Sequence, residues 1–196
     1  MKERPILFSG PMVRAILEGR KTQTRRIAKD RDGITVHANG QVLARGGWLP
    51  ELCCPYGVPG DHLWVKETFA EGCDPRSAKD LGRPNYFYRA TDGEPPAYMH
   101  PFRWKPSIFL PRAYSRITLE IEKVRVERII EITAEDCIAE GIYQQGGQWI
   151  IDGSVTGLGW MQPEGAYREL WESINGFGAW DANPWVWVIQ FRRITP

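Results

Sequence analysis

Histidine is scarce in this 196-residue chain, with 3 residues, and cysteine is little more frequent, with 4. Cys53 and Cys54 are adjacent while Cys73 and Cys137 stand apart, so no C-x-x-C pair exists. That spacing excludes the familiar zinc-finger and redox-dithiol frameworks. The one metal grouping the composition permits is Cys53 or Cys54 with His62, Cys73 and His100. Adjacent cysteines chelate a single ion poorly, so reduced thiols, no metal and no organic cofactor are expected. No run reaches the roughly 18 consecutive apolar residues of a membrane span. The opening MKERPILFSG lacks a signal peptide's apolar stretch, and a soluble cytoplasmic protein is the expectation. Net charge is missing too: 25 Lys+Arg against 24 Asp+Glu leave +1, which argues against a protein that coats a polyanion. Internal repeats and low-complexity tracts are absent. What remains is ordinary globular composition, 42% hydrophobic and 25% charged, at a length suited to one domain. Two features stand out: 9 tryptophans, and arginines that outnumber lysines 18 to 7.

Local patterns predict the elements. Arg4 to Phe8 reads as a strand. Pro11 then opens a short helix whose apolar pairs Met12/Ile16 and Val13/Leu17 are four apart, with Gly19 as its stop. Residues 28–60 read as a hairpin or long loop, and His62 to Phe69 and Asn85 to Ala90 as strands, with Pro- and Gly-rich loops between and after them. Ser115 to Ile130 alternates strongly. The apolar phase slips from Ile117, Leu119 and Ile121 to Val124 and Val126, which places a turn or bulge near Glu122-Lys123. Thr133 caps a short helix with Asp136 as capping-box partner, and Gly141 ends it. Residues 142–160 suggest a hairpin. Pro163 starts an amphipathic helix with Tyr167, Leu170, Trp171 and Ile174 on one face, stopped by Asn175-Gly176. Trp185 to Arg192 is apolar on both faces in its first half, hence a buried strand. Many strands with few helices indicate an α+β fold, a small mixed β-barrel with helices around it.

Charge is unevenly distributed. From Arg14 to Arg31 seven basic residues (Arg14, Arg20, Lys21, Arg25, Arg26, Lys29, Arg31) face two acids, Glu18 and Asp30. Cations at a helix C-terminus account for Arg20 and Lys21, but the continued run points to an anionic or nucleotide-type partner.

Within that run, Gly19-Arg20-Lys21-Thr22-Gln23-Thr24-Arg25-Arg26 resembles the G-x-K-x-x-E/T-x-R signature of the ASCH domain, a PUA-like β-barrel. Thr24, where many ASCH domains carry Glu, is the pattern of the bacterial N4-acetylcytidine amidohydrolases. The resemblance implies catalytic roles for Lys21, Thr24 and a carboxylate on the short helix after the long strand, which carries over to Glu140. It covers roughly residues 1–26, 115–143 and 163 onward. It implies insertions at about 28–60, 70–110 and 143–162. Prophage-encoded ASCH proteins share the Trp-rich tail and the strand bearing Lys66-Glu67.

The residue types suit amide hydrolysis. Thr24 supplies a hydroxyl nucleophile, and Lys21, three residues earlier, supplies an amine that acts as a base when neutral. Glu140 is placed to orient Lys21 or to exchange protons with a cytosine ring, although a carboxylate beside the lysine also favours its ammonium form. Arg26 and Arg20 are candidate substrate contacts, with Glu67 as a second carboxylate and Trp64 as a stacking ring; Trp104 and Trp160 are further rings for stacking. Each has a plainer reading. Lys21 and Thr24 also fit a surface turn, Glu67 a solvated strand position, and Trp171, Trp185 and Trp187 the core. The resemblance implies a modified cytidine nucleoside or RNA as the partner. The rival functions are a non-enzymatic RNA- or nucleotide-binding module and a structural phage protein.

Overall fold

A computed structural model describes residues 1–29, 34–36, 42–43, 53–72, 85–93, 103–152 and 159–194. In chain order the first elements are β1 (Glu3–Leu7), α1 (Gly10–Leu17), β2 (Gln23–Ile27), β3 (Thr35–Val36), β4 (Val42–Leu43) and β5 (His62–Lys66). Then come β6 (Phe69–Gly72), β7 (Asn85–Tyr88), β8 (Thr118–Arg128), α2 (Ala134–Ala139), β9 (Tyr143–Gln145), β10 (Gln148–Ile150), α3 (Pro163–Asn175) and β11 (Trp185–Ile194). Three short 3-10 turns flank β8. The class is α+β, as the patterns indicate. Cys73, His100 and Arg31 lie outside the described residues.

Five strands form the main sheet in the order β1-β5-β8-β11-β2, with β1 and β5 parallel and the other pairs antiparallel. Strand β11 is sandwiched between β8 and β2, and its side chains alternate between two cores. Trp187, Ile189 and Phe191 join Ile6, Phe8, Val13, Ile16, Leu63, Leu119 and Ile121 on one face. Val186 and Val188 join Ile129, Cys137, Ile142, Tyr167 and Trp171 on the other. Burial on both sides explains why this stretch reads as a continuous apolar run. The anticipated bulge is present: the β11–β8 register shifts between Gln190 and Phe191, which face Lys123 and Ile121 and leave Glu122 as the extra residue.

Among the described residues no closed barrel is found, because β1 and β2 remain sheet edges. The sheet nonetheless curls enough for a side chain to bridge those edges, Arg26 on β2 donating from Nη2 to the Leu7 carbonyl at 2.7 Å. Other expectations need adjustment. The strand read from His62 to Phe69 is two strands, β5 ending at Lys66 and β6 starting at Phe69 to pair with β7. The β3–β4 pair and the β9–β10 pair supply hairpin ladders in the regions read as hairpins. Trp185 is only half-buried, with Arg128 stacked over it at 4.2 Å, whereas Trp171 and Trp187 are core.

The cap of α2 forms on one side only. Thr133 Oγ1 accepts from the Asp136 amide at 3.2 Å, but the Asp136 carboxylate turns away to Gln23, Arg25 and Arg125 instead of closing the box. Thr133→Ala is expected to lower stability by about 1 kcal/mol through the lost cap, measured as a shift of the urea midpoint with an unchanged m-value.

Candidate active site

Lys21 and Glu140 are brought together by the ends of two helices. At the end of α1, Gly19 adopts φ 77°, and the amides of Arg20 and Lys21 both donate to the Ala15 carbonyl. The next amide, Thr22, donates to the Ala139 carbonyl at 2.8 Å, pinning this turn to the end of α2. Gly141 then leaves α2 with φ 102°, and a β-carbon there would sit 3.3 Å from Ala15 Cβ and 3.5 Å from Lys21 Cβ. Both the backbone angle and the close approach call for glycine.

The result is a lysine with a fully buried side chain. Lys21 Nζ donates to the Glu140 carbonyl at 2.9 Å and to Glu140 Oε2 at 2.6 Å, so it satisfies a helix C-terminal carbonyl and pairs with the carboxylate of the same residue. Burial lowers the Lys21 pKa below its ordinary value; Glu140 pulls it upward, and Arg26 and Arg25 add to the fall.

Glu140 has a second cation. Arg25, whose side chain is also fully buried, donates from Nη1 to Glu140 Oε1 at 3.3 Å and from Nη2 to Asp136 and Glu127. Burial disfavours the guanidinium charge, but Glu140 and Glu127 more than offset it and its pKa is raised. Arg125 completes the cluster, bonded to Asp136, Glu127 and Gln23. Three cations (Lys21, Arg25, Arg125) thus meet three carboxylates (Glu140, Glu127, Asp136). Sheet register explains the assembly, because Arg25 on β2 and Arg125 on β8 both lie opposite Val188 of the intervening β11.

Beside this cluster lies a narrow cleft of about 50 Å³, lined by Thr24, Arg26 and Glu140 and walled by Met12 of α1 and by Tyr167 and Leu170 of α3. Since β2 is an edge strand, residues from both of its faces reach the cleft, Thr24 and Arg26 from one and Arg25 and Ile27 from the other. Arg26 is held by Leu7 and by the Phe8 ring, 5.3 Å from its guanidinium, while its Nε is buried without an acceptor. Burial holds the Tyr167 phenol well above its ordinary pKa, so it stays neutral. Ile174, expected on the buried face of α3, is 53% exposed and lines the cleft.

Comparison with protein-family models, curated proteins and solved structures finds no match. The site is therefore read from its own chemistry. Thr24, Glu140 and Arg26 line one cleft, and Lys21 stands behind it through its contact with Glu140; the other candidates do not line it. Arg20 is a clasp, bonded to Glu18, Asp152 and the Gly141 carbonyl and stacked on Tyr143 at 4.6 Å. Glu67 is not a solvated strand residue: it is 1% exposed and takes a bidentate pair of 2.9 Å bonds from Arg116. Trp64 lies half-buried with the Lys66 ammonium 5.2 Å from its ring, and Trp160 donates from Nε1 to Glu169. Cys137 is inert, burial pushing its thiol up to about 12. Among the described residues no group of three His, Cys, Asp or Glu side chains is arranged to hold a metal ion, and no helix is long and apolar enough to cross a membrane.

The basic run also changes meaning. Lys21 and Arg25 are buried, Arg20 and Arg26 are engaged as above, and Arg14 donates to the Ala90 carbonyl at 3.3 Å. Most of the apparent anion-binding face is internal structure. The sequence reading passed over Arg25, Glu127, Asp136 and Tyr167 as site residues. A signal existed for Arg25: it alternates with Thr24 and Arg26 in a five-residue strand, where a cation on the helix-facing side demands a buried partner.

Proposed function

We propose that the chain is an ASCH-type, PUA-like α+β enzyme that hydrolyses N4-acylated cytidine or a related small amide nucleoside. The observation that carries this reading is the buried 2.6 Å contact between Lys21 Nζ and Glu140 Oε2 beside a cleft that Thr24 and Glu140 both line. It is supported by the Gly19-to-Arg26 motif and by an Arg26 N–H that lacks an acceptor.

The chemistry follows from the charges. In its neutral form Lys21 accepts the Thr24 hydroxyl proton as Oγ1 attacks the acyl carbon. Burial and the nearby arginines lower the cost of that neutral form, and Arg25 keeps Glu140 compensated while Lys21 is uncharged. The ammonium formed on proton transfer is then stabilised by Glu140. Lys21 next gives the proton to the N4 nitrogen as the C–N bond breaks, releasing cytidine and leaving an acyl ester on Thr24. Water hydrolyses that ester with Lys21 again as base, releasing the acid and restoring the hydroxyl. Arg26 is positioned to hold the carbonyl oxygen as it gains charge. Admitting a pyrimidine requires the cleft to widen, and one solvent-facing wall is Ile174 on α3, 53% exposed.

Against the rival reading, an RNA-binding module without chemistry, weighs the internal use of Lys21, Arg20 and Arg25, which leaves fewer of the described cations of this run for phosphates. The test is incubation of purified protein with N4-acetylcytidine, followed by separation of cytidine. Turnover is expected, rising with pH along a limb centred below 10.5, because the base must be neutral and its pKa is lowered. Absence of cytidine at every pH would refute the reading, and salt-sensitive RNA binding in its place would install the rival.

A further inference from the structure

A second pocket adjoins the cleft. Its volume is about 40 Å³, and Met12, Glu140 and Leu170 line both spaces. The two differ in chemistry. The first carries Thr24, Arg25, Arg26 and Asn175, whereas the second is walled by Pro11, Ala15, Ile142 and Ile151. One polar residue at its edge, Asp152, is already engaged by Arg20 Nη2 at 3.1 Å and by the Tyr143 hydroxyl at 2.8 Å. Apart from the Ser9 hydroxyl at its rim, the second pocket therefore offers apolar surface and two carboxylates, Asp152 and Glu140, that are already engaged, a poor place for a base or a phosphate.

Resting on the amidohydrolase reading, we infer that this second pocket receives the acyl group and sets its permitted length. An N-acylated cytosine has a planar polar ring on one side of its amide bond and an alkyl group on the other. The two spaces meeting at Glu140 match that division, with the ring against Arg26 and Tyr167 and the alkyl group against Ile142 and Ile151. At about 40 Å³ the space is small, and its apolar walls suit the methyl of an acetyl group. On this inference it favours acetyl over longer chains. Ile151, on the wall, sets the depth. Ser9, at the rim, precedes α1 without making a side-chain cap bond and so is replaceable at little cost to the helix.

The experiment compares kcat/KM for N4-acetylcytidine and N4-butanoylcytidine in the wild type, Ile151→Ala and Ser9→Leu, with thermal melts confirming that each is folded. Wild type is expected to prefer the acetyl substrate. Ile151→Ala should raise the butanoyl-to-acetyl ratio by about tenfold or more, the effect of one or two methylenes in a fitted apolar pocket. Ser9→Leu should lower turnover of both substrates, the longer one more. If Ile151→Ala fails to fold, the Ser9→Leu ratio alone decides. Ratios that stay within about twofold of wild type, alongside Thr24-dependent turnover, overturn the pocket assignment and leave the amidohydrolase reading standing. No turnover of either substrate by wild type overturns both.

Discussion

Glu140→Ala is expected to lower the unfolding free energy by about 3–5 kcal/mol, the usual cost of removing one partner of a buried ion pair. The side chains involved are nearly sealed from solvent, Glu140 at 3% exposure and Lys21 and Arg25 at 0%. Removing the carboxylate strands the Lys21 ammonium, whose remaining bond is to the Glu140 carbonyl, and leaves Arg25 with Glu127 and Asp136 only. Lys21 then sheds its proton more readily, and part of the loss is recovered as pH rises toward its ordinary 10.5. Replacing both members, Lys21→Met with Glu140→Leu, should regain much of the stability, since an apolar pair avoids the desolvation of two charges. Urea titrations of the two variants measure the difference. A loss below about 1 kcal/mol for Glu140→Ala, the worth of an exposed pair, would show that water reaches the pair.

The second large effect falls on rate. Thr24→Ala should reduce kcat for N4-acetylcytidine by about 10³-fold or more, because the acyl-accepting oxygen is gone while the cleft's other walls remain. KM should change little, since Arg26, Tyr167 and Glu140 still line the site. Thr24→Ser should keep a substantial part of the rate. Lys21→Ala should cost about as much as Thr24→Ala, and the double variant little more than either, because a nucleophile and its base act as one unit. Acyl-enzyme trapping by mass spectrometry supplies the direct check: an acetyl adduct on the Thr24 peptide in wild type and none in Thr24→Ala. Full turnover by Thr24→Ala would exclude the residue as nucleophile.

How much of this was legible in advance varies with the range of the interaction. Helix α1, its stop at Gly19, the cap at Thr133 and the slip at Glu122 rest on patterns within a few residues, and each stands where the local pattern puts it. The expected pairing of Lys21 with Glu140 came from a motif resemblance, and their contact spans 119 positions. Nothing within a helical turn of either residue announces it. Asp136 shows the same limit from the other side. Its spacing from Thr133 fits a capping box, yet Arg25 and Arg125 arrive from other strands and outbid the local amide. Glu67 as a residue type suggests solvation, but it falls in phase with buried Leu63 and Val65, and the bidentate pair from Arg116, 49 positions away, compensates its burial.

The scarcity of cysteine and histidine and the near-zero net charge are properties of the sequence alone, and so are the periodicities that build the strands and helices. Tertiary structure decided what the charges mean. Two residues of a basic run that reads as an anion-binding face, Lys21 and Arg25, became part of an internal cluster, because they lie on or beside an edge strand next to the end of α2 and across β11 from Arg125. Charge is counted along the chain, but its solvation and its partners are settled by what packs against it.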